Sequence, residues 1–102
     1  MLSVIENKQT ALEELCAEHQ VKRLELFGSA TQERFDPASS DLDFLVEFMP
    51  VSPARHAQCY FGLLQALEEL FDCRIDLVET SELSNPYFLE AIAPTRRVLY
   101  EP

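Results

Sequence analysis

The sequence predicts an α/β fold, in the α+β sense, with one mixed sheet of about four strands flanked by helices. Three observations predict it. Four short segments, 21–27, 41–48, 73–78 and 95–100, alternate apolar and polar residues with the period of a strand. Between the second and third, a long stretch opening on Ser52-Pro53 repeats apolar residues at helical spacing. Helical patterns also precede the first strand and the last, so strands and helices are interleaved. The 102 residues suit a single domain, 1–102, and a chain of this size buries roughly 60–70% of its unfolded surface.

Composition narrows the function classes. With 47% hydrophobic and 25% charged residues the chain reads as globular rather than disordered. Its 18 acidic residues against 8 Lys+Arg give a formal net charge of −10. Such a surface repels phosphate backbones, which argues against direct nucleic-acid binding and favours a basic protein partner. No apolar run approaches the ~20 residues of a membrane span, and no signal sequence opens the chain, so a cytoplasmic protein without membrane contact is expected. Cys16, Cys59 and Cys73 are odd in number and widely spaced, a pattern of three reduced thiols rather than a zinc site.

In chain order, residues 3–19 read as one helix. Ser3 and Glu6 have capping-box spacing, Ile5, Leu12, Leu15 and Cys16 form the apolar stripe, and His19 stands at the C-terminal end, where its imidazole suits the helix dipole. The strand 21–27 follows, with Leu24 and Leu26 alternating against Arg23 and Glu25. Residues 30–34 allow about one helical turn before Asp36-Pro37 stops it. After the strand 41–48, Ser52 caps and Pro53 starts the long helix, whose inward face is read as Ala57, Tyr60, Phe61, Leu64, Leu67 and Phe71, ending near Asp72. His56 in its first turn reads as an exposed polar residue. In the strand 73–78, Cys73, Ile75 and Leu77 face one way and Arg74, Asp76 and Val78 the other. Ser81 caps a short segment at 80–83. Asn85-Pro86 opens a helix with Tyr87, Phe88, Ala91 and Ile92 inward, Pro94 ends it, and 95–100 is the last strand.

The chemistry concentrates between Leu26 and Val46. Period two places Leu42, Phe44, Val46 and Phe48 on one face of the second strand and Asp41 with Asp43 on the other. Two carboxylates at this spacing converge on one hard cation such as Mg²⁺, which takes oxygen ligands and shares them with substrate phosphates. Just before them, Gly28-Ser29 makes a turn in which glycine admits close backbone approach and serine offers a hydroxyl to an anion. Phosphate on one side and metal on the other point to a nucleoside triphosphate. The bland alternative is a solvated pair of edge charges beside an ordinary turn. Asp76, alone in an apolar Ile-Asp-Leu-Val run, is costly to bury unless paired or metal-bound; a salt bridge to Arg74 or a solvent-facing position is its bland reading. An EF-hand calcium loop does not fit Asp41 to Val46, which lacks its glycine and third ligand.

Taken together, apolar-Gly28-Ser29, ten intervening residues, then Ser40-Asp41-Leu42-Asp43 and three apolar residues resemble the signature of the polymerase-beta-like nucleotidyltransferases, and the short chain is similar to their minimal nucleotidyltransferase (MNT) branch. The resemblance spans nearly the whole chain and implies the polymerase-beta-like nucleotidyltransferase fold. It implies that Gly28, Ser29 and Ser40 bind the nucleotide and that Asp41 and Asp43 hold two Mg²⁺ ions. Asp76 would be the third catalytic and metal-binding carboxylate, which also helps deprotonate the incoming hydroxyl. The reaction implied is a two-metal, in-line displacement on ATP.

The chain departs from the family pattern after Ser29. Where many members continue with Arg-Gly, it has Gln32-Glu33, which removes a cation from the phosphate side and adds an anion. MNT proteins are commonly paired with a small helical HEPN-type ribonuclease toxin. The resemblance therefore implies an antitoxin that transfers AMP from ATP to a toxin hydroxyl, that of a tyrosine. The alternative is an MNT-fold module that neutralises the toxin by binding alone.

Overall fold

The computed structural model describes residues 2–28, 42–79 and 86–102. The expected elements at 30–34 and 80–83, together with Ser29, Gln32, Glu33, Ser40 and Asp41, lie outside the described residues. The chain forms α1 (Leu2–Asn7), α2 (Gln9–Glu18), β1 (Val21–Phe27), β2 (Leu42–Phe48), α3 (Pro53–Phe71), β3 (Ile75–Glu79), α4 (Pro86–Ile92), a 3-10 turn (Ala93–Thr95) and β4 (Arg97–Tyr100).

The expected first helix is two. The backbone breaks at Lys8, with φ −110° and ψ 13°. Its N–H donates to the Ile5 carbonyl at 3.0 Å and its carbonyl accepts from Leu12 at 2.9 Å. Ser3 lies inside α1 rather than ahead of it, so the capping-box reading falls. The apolar stripe survives the break, because Ile5, Leu12 and Cys16 are all buried in one cluster. His19 is the C-cap of α2. Its Nδ1 lies 2.8 Å from the Leu15 carbonyl, so that nitrogen carries the proton and donates to a carbonyl that also accepts the His19 backbone N–H at 3.0 Å.

The four strands form one mixed sheet in the order β3-β2-β1-β4. β1 is antiparallel to both β2 and β4, while β2 and β3 are parallel. A parallel neighbour requires a crossover, and α3 supplies it. Ser52 caps α3 as expected, its Oγ accepting from the Arg55 N–H at 3.3 Å, and Asp72 ends it in the left-handed conformation. The helix is rotated from the expected face. Cys59, Leu63 and Leu67 are buried, with Tyr60, Leu64, Leu70 and Phe71 packed alongside, whereas Phe61 is 65% exposed. The i, i+4 series through Cys59 settled the orientation, and an apolar stripe this broad did not announce which edge would face water.

The two sheet faces differ in kind. Leu24, Leu26, Leu42, Phe44, Val46, Phe48 and Leu77 join α1, α2 and α3 in the core cluster. Period two sends Glu25, Phe27, Asp43, Leu45 and Asp76 to the opposite face, where Glu25, Phe27 and Leu45 are also buried. β3 begins at Ile75, so Cys73 precedes it, and the 3-10 turn through Pro94 delays β4 to Arg97. Tyr87 and Ala91, expected to pack inward from α4, are exposed.

Candidate active site

Strand pairing brings three of the candidate residues into a row across the sheet. Phe27 and Asp43 are Cα partners on β1 and β2, with Gly28 the next residue beyond Phe27. Asp43 and Asp76 are Cα partners on the parallel strands β2 and β3. Adjacent strands run about 4.8 Å apart, so the two carboxylates rise from neighbouring backbones on the same face. Asp43 is half-buried and Asp76 exposed. Asp41, Ser29 and Ser40, the remaining candidates, lie outside the described residues.

Gly28 is tied to Asp43 by more than register. Its φ is +78°, the left-handed region that L side chains rarely adopt, and a β-carbon at this position would sit 2.7 Å from Asp43 Oδ2. The carboxylate occupies the space that any other residue would fill. The Gly28 N–H donates to Thr95 Oγ1 at 3.0 Å, and the Thr95 hydroxyl donates in turn to the Ile92 carbonyl at 2.7 Å. The Gly28 amide is therefore engaged within the protein, and what glycine contributes here is close approach.

Beside this row the same face carries a buried ion cluster. Glu25 is 2% exposed. Arg96 grips it with two prongs, Nη2 to Oε2 at 2.7 Å and Nε to Oε1 at 3.2 Å, and Arg23 Nη2 reaches Oε1 at 3.3 Å. The hydrogen bond to Glu25 raises the Arg96 pKa above the ordinary guanidinium value, against a smaller opposing effect of burial. Arg23 Nε lies 3.0 Å from Glu101 Oε2, an ion-pair contact without hydrogen-bond alignment. Neither Glu25 nor Thr95 was marked by sequence pattern. Glu25 carried one weak signal, a carboxylate amid the apolar residues of β1.

His56, expected to be exposed, is half-buried. It is bonded through Nε2 to Glu79 Oε1 and stands edge-on to Phe48 with ring centroids 5.3 Å apart. With Ala57, Tyr60, Phe61 and Glu79 it lines a groove of about 330 Å³. Glu79 pairs in register with Val46, on the core side, so this groove is separate from the carboxylate row.

The donor set suits a hard cation. Asp43 and Asp76 offer oxygen ligands from adjacent strands, and Gly28 leaves room for the Asp43 carboxylate. Among the described residues no group of three or more potential ligands forms. Cys16, Cys59 and Cys73 are free thiols. No described helix is long and apolar enough to cross a membrane.

Residues 8–99 match the nucleotidyltransferase domain family. The chain belongs to that family. A Methanocaldococcus jannaschii protein, named provisionally as a protein adenylyltransferase, is 30% identical over 74 residues, or 72% of each chain. A solved structure described, again provisionally, as a minimal nucleotidyltransferase superposes with a TM-score of 0.74 at 30% identity, covering 94% of this chain and 93% of that one. A toxin–antitoxin complex with AMP-PNP aligns at a TM-score of 0.68 and 18% identity, over 92% of this chain and 73% of that one. A complex of a tri-AMPylated Shewanella oneidensis HEPN toxin with its MNT antitoxin aligns at 0.64 and 16% identity, over 96% and 73%. At those lower identities the likeness is one of fold. The mixed four-stranded sheet flanked by helices is that of a minimal nucleotidyltransferase, as the resemblance to that family implied.

Proposed function

We propose that this protein transfers AMP from ATP to a hydroxyl, that of a tyrosine, on a HEPN-type toxin and so acts as its antitoxin. The observation that carries the reading is the Gly28–Asp43–Asp76 row, in which a glycine-only backbone position backs one carboxylate while a second stands in register beside it. Asp43 and Asp76, with Asp41, would hold Mg²⁺, which neutralises phosphate charge and polarises the phosphorus for attack. Asp76, the more exposed carboxylate, accepts the proton of the incoming hydroxyl. The hydroxyl oxygen bonds to the α-phosphorus, the bond from that phosphorus to the oxygen bridging towards the β-phosphate breaks, and pyrophosphate leaves with the electron pair. Ser29 and Ser40 would bind the nucleotide, with Gly28 allowing its backbone approach. The relatives support the partner class: one is named for protein adenylylation and another is an antitoxin bound to an AMPylated HEPN toxin.

The test is incubation with α-labelled ATP, Mg²⁺ and the toxin. Wild type should label the toxin, and Asp43→Asn and Asp76→Asn should abolish labelling without weakening the complex. Inhibition of the toxin with no labelling by wild type would overturn the catalytic reading and leave a module that acts by binding.

A further inference from the structure

We propose that Thr95 is a positioning residue for the Asp43 carboxylate, acting through the Gly28 backbone. The inference deepens the nucleotidyltransferase reading and rests on it. Thr95 lies 67 residues from Gly28 in sequence, at the end of the 3-10 turn that follows α4. A hydroxyl has one proton, and Thr95 gives it to the Ile92 carbonyl at 2.7 Å. Its lone pairs are thereby left facing the Gly28 N–H at 3.0 Å, so the two bonds fix each other's direction.

The consequence passes to Asp43 by contact. Asp43 Oδ2 occupies the space that a Gly28 β-carbon would need, 2.7 Å from where that atom would sit. Gly28 is also the residue type with the widest choice of backbone conformations, so something outside the residue must hold it at φ +78°. β1 ends at Phe27, and among the described residues its pairing with β2 stops at Phe27↔Asp43. The Thr95 bond is thus an anchor on Gly28 just past the last ladder position. The neighbouring residue secures the anchor, since Arg96 is clamped to buried Glu25 on β1. One turn of chain after α4 is therefore fastened at two points, to β1 at the ion cluster and to Gly28, just past β1, beside the Asp43 carboxylate. Residues that orient a metal ligand without touching the metal typically govern affinity by 10–100-fold. A position one contact further away should fall on the order of tenfold.

Thr95→Val keeps the branched shape and removes both hydrogen bonds; Thr95→Ser keeps the hydroxyl. In ¹⁵N-labelled wild type without metal or nucleotide, the Gly28 amide should be protected from hydrogen exchange, and Thr95→Val should remove that protection. In calorimetric titrations of ATP binding, Thr95→Val should raise the Mg²⁺ concentration at half-saturation about tenfold, with Thr95→Ser close to wild type. A merely structural threonine would lower the urea midpoint of Thr95→Val and leave its Mg²⁺ requirement within twofold of wild type; that result overturns the inference. An unprotected Gly28 amide in wild type overturns it without any variant. Wild type that binds ATP with no Mg²⁺ dependence would instead overturn the functional reading, and the inference with it, even if the Gly28 amide were protected.

Discussion

Gly28→Ala separates what glycine does for the fold from what it does for the site. Two costs follow from the structure. The first is conformational: an alanine at φ +78° occupies the left-handed region, at about 1–2 kcal/mol. The gain from restricting the unfolded chain, about 0.4–1 kcal/mol, accrues only where the native backbone is compatible, so it is not available here. The second is steric. The new β-carbon would lie 2.7 Å from Asp43 Oδ2 but 3.5 Å from Cγ and 3.7 Å from Cβ. Rotating the carboxylate relieves the contact cheaply in stability and displaces the oxygen that would ligate a metal. Urea unfolding in the absence of Mg²⁺ should therefore show a loss of about 1–2 kcal/mol, near 4–16 °C in Tm for a domain of this size. Mg²⁺-dependent ATP binding should fall at least tenfold. Asp43→Ala removes the clashing oxygen and leaves the φ strain. The two substitutions should couple, with a coupling energy equal to the small cost of rotating the carboxylate and below the φ strain. Equal costs of Gly28→Ala in both backgrounds, with ATP binding unchanged, would refute the claim that Gly28 makes room for Asp43.

Other consequences are open to measurement. At the ion cluster, Arg96→Met should cost more than Glu25→Gln in urea unfolding: the first leaves a 2% exposed carboxylate short of its bidentate partner, towards about 3–5 kcal/mol, whereas the second frees the Arg96 guanidinium, which water already reaches. Burial, and secondarily Glu13, pushes the Cys16 thiol up to about 12 from an unfolded value of 9.0. A raised folded pKa gives stability that is intact below pH 9 and is lost as pH climbs towards 12, with a slope of up to about 1.36 kcal/mol per pH unit that Cys16→Ala should remove from the alkaline unfolding curve. Thiol titration of the native protein should reach half-buried Cys73 before buried Cys16 and Cys59. With a net charge of −10, association with a basic toxin should slow with added salt, as stopped-flow mixing would show, because screening acts over about 8–10 Å.

What the sequence revealed and what it hid have one physical explanation. Period two is a local property, so β1, β2, the side of its own strand on which each of Asp43 and Asp76 lies, and the Ser52-Pro53 start of α3 were legible from residues close together in the chain. The family resemblance then supplied the roles, and parallel pairing put Asp43 and Asp76 in register. Features made by distant partners were not legible. Glu25 meets Arg96 across 71 residues, and nothing in either local pattern announces a buried pair. Thr95 reaches Gly28 across a similar span. Phe61 was read as core because the α3 stripe is broad, and only packing chose which edge went inward. The Lys8 break was invisible because it leaves Ile5, Leu12 and Cys16 on the same buried side.

The most direct test of the central claim needs neither toxin nor transfer. If Asp43 and Asp76 hold Mg²⁺ for ATP, thermal unfolding with Mg²⁺ and ATP at about 100 times the dissociation constant should gain about 2.7 kcal/mol, roughly 10 °C or more for a domain of this size. Neither component alone should match it. Asp43→Asn should erase the gain while leaving the ligand-free protein as stable as wild type or more so, because one of two neighbouring like charges is gone. An unfolding temperature indifferent to Mg²⁺ and ATP in wild type, or an undiminished gain in Asp43→Asn, would contradict the account.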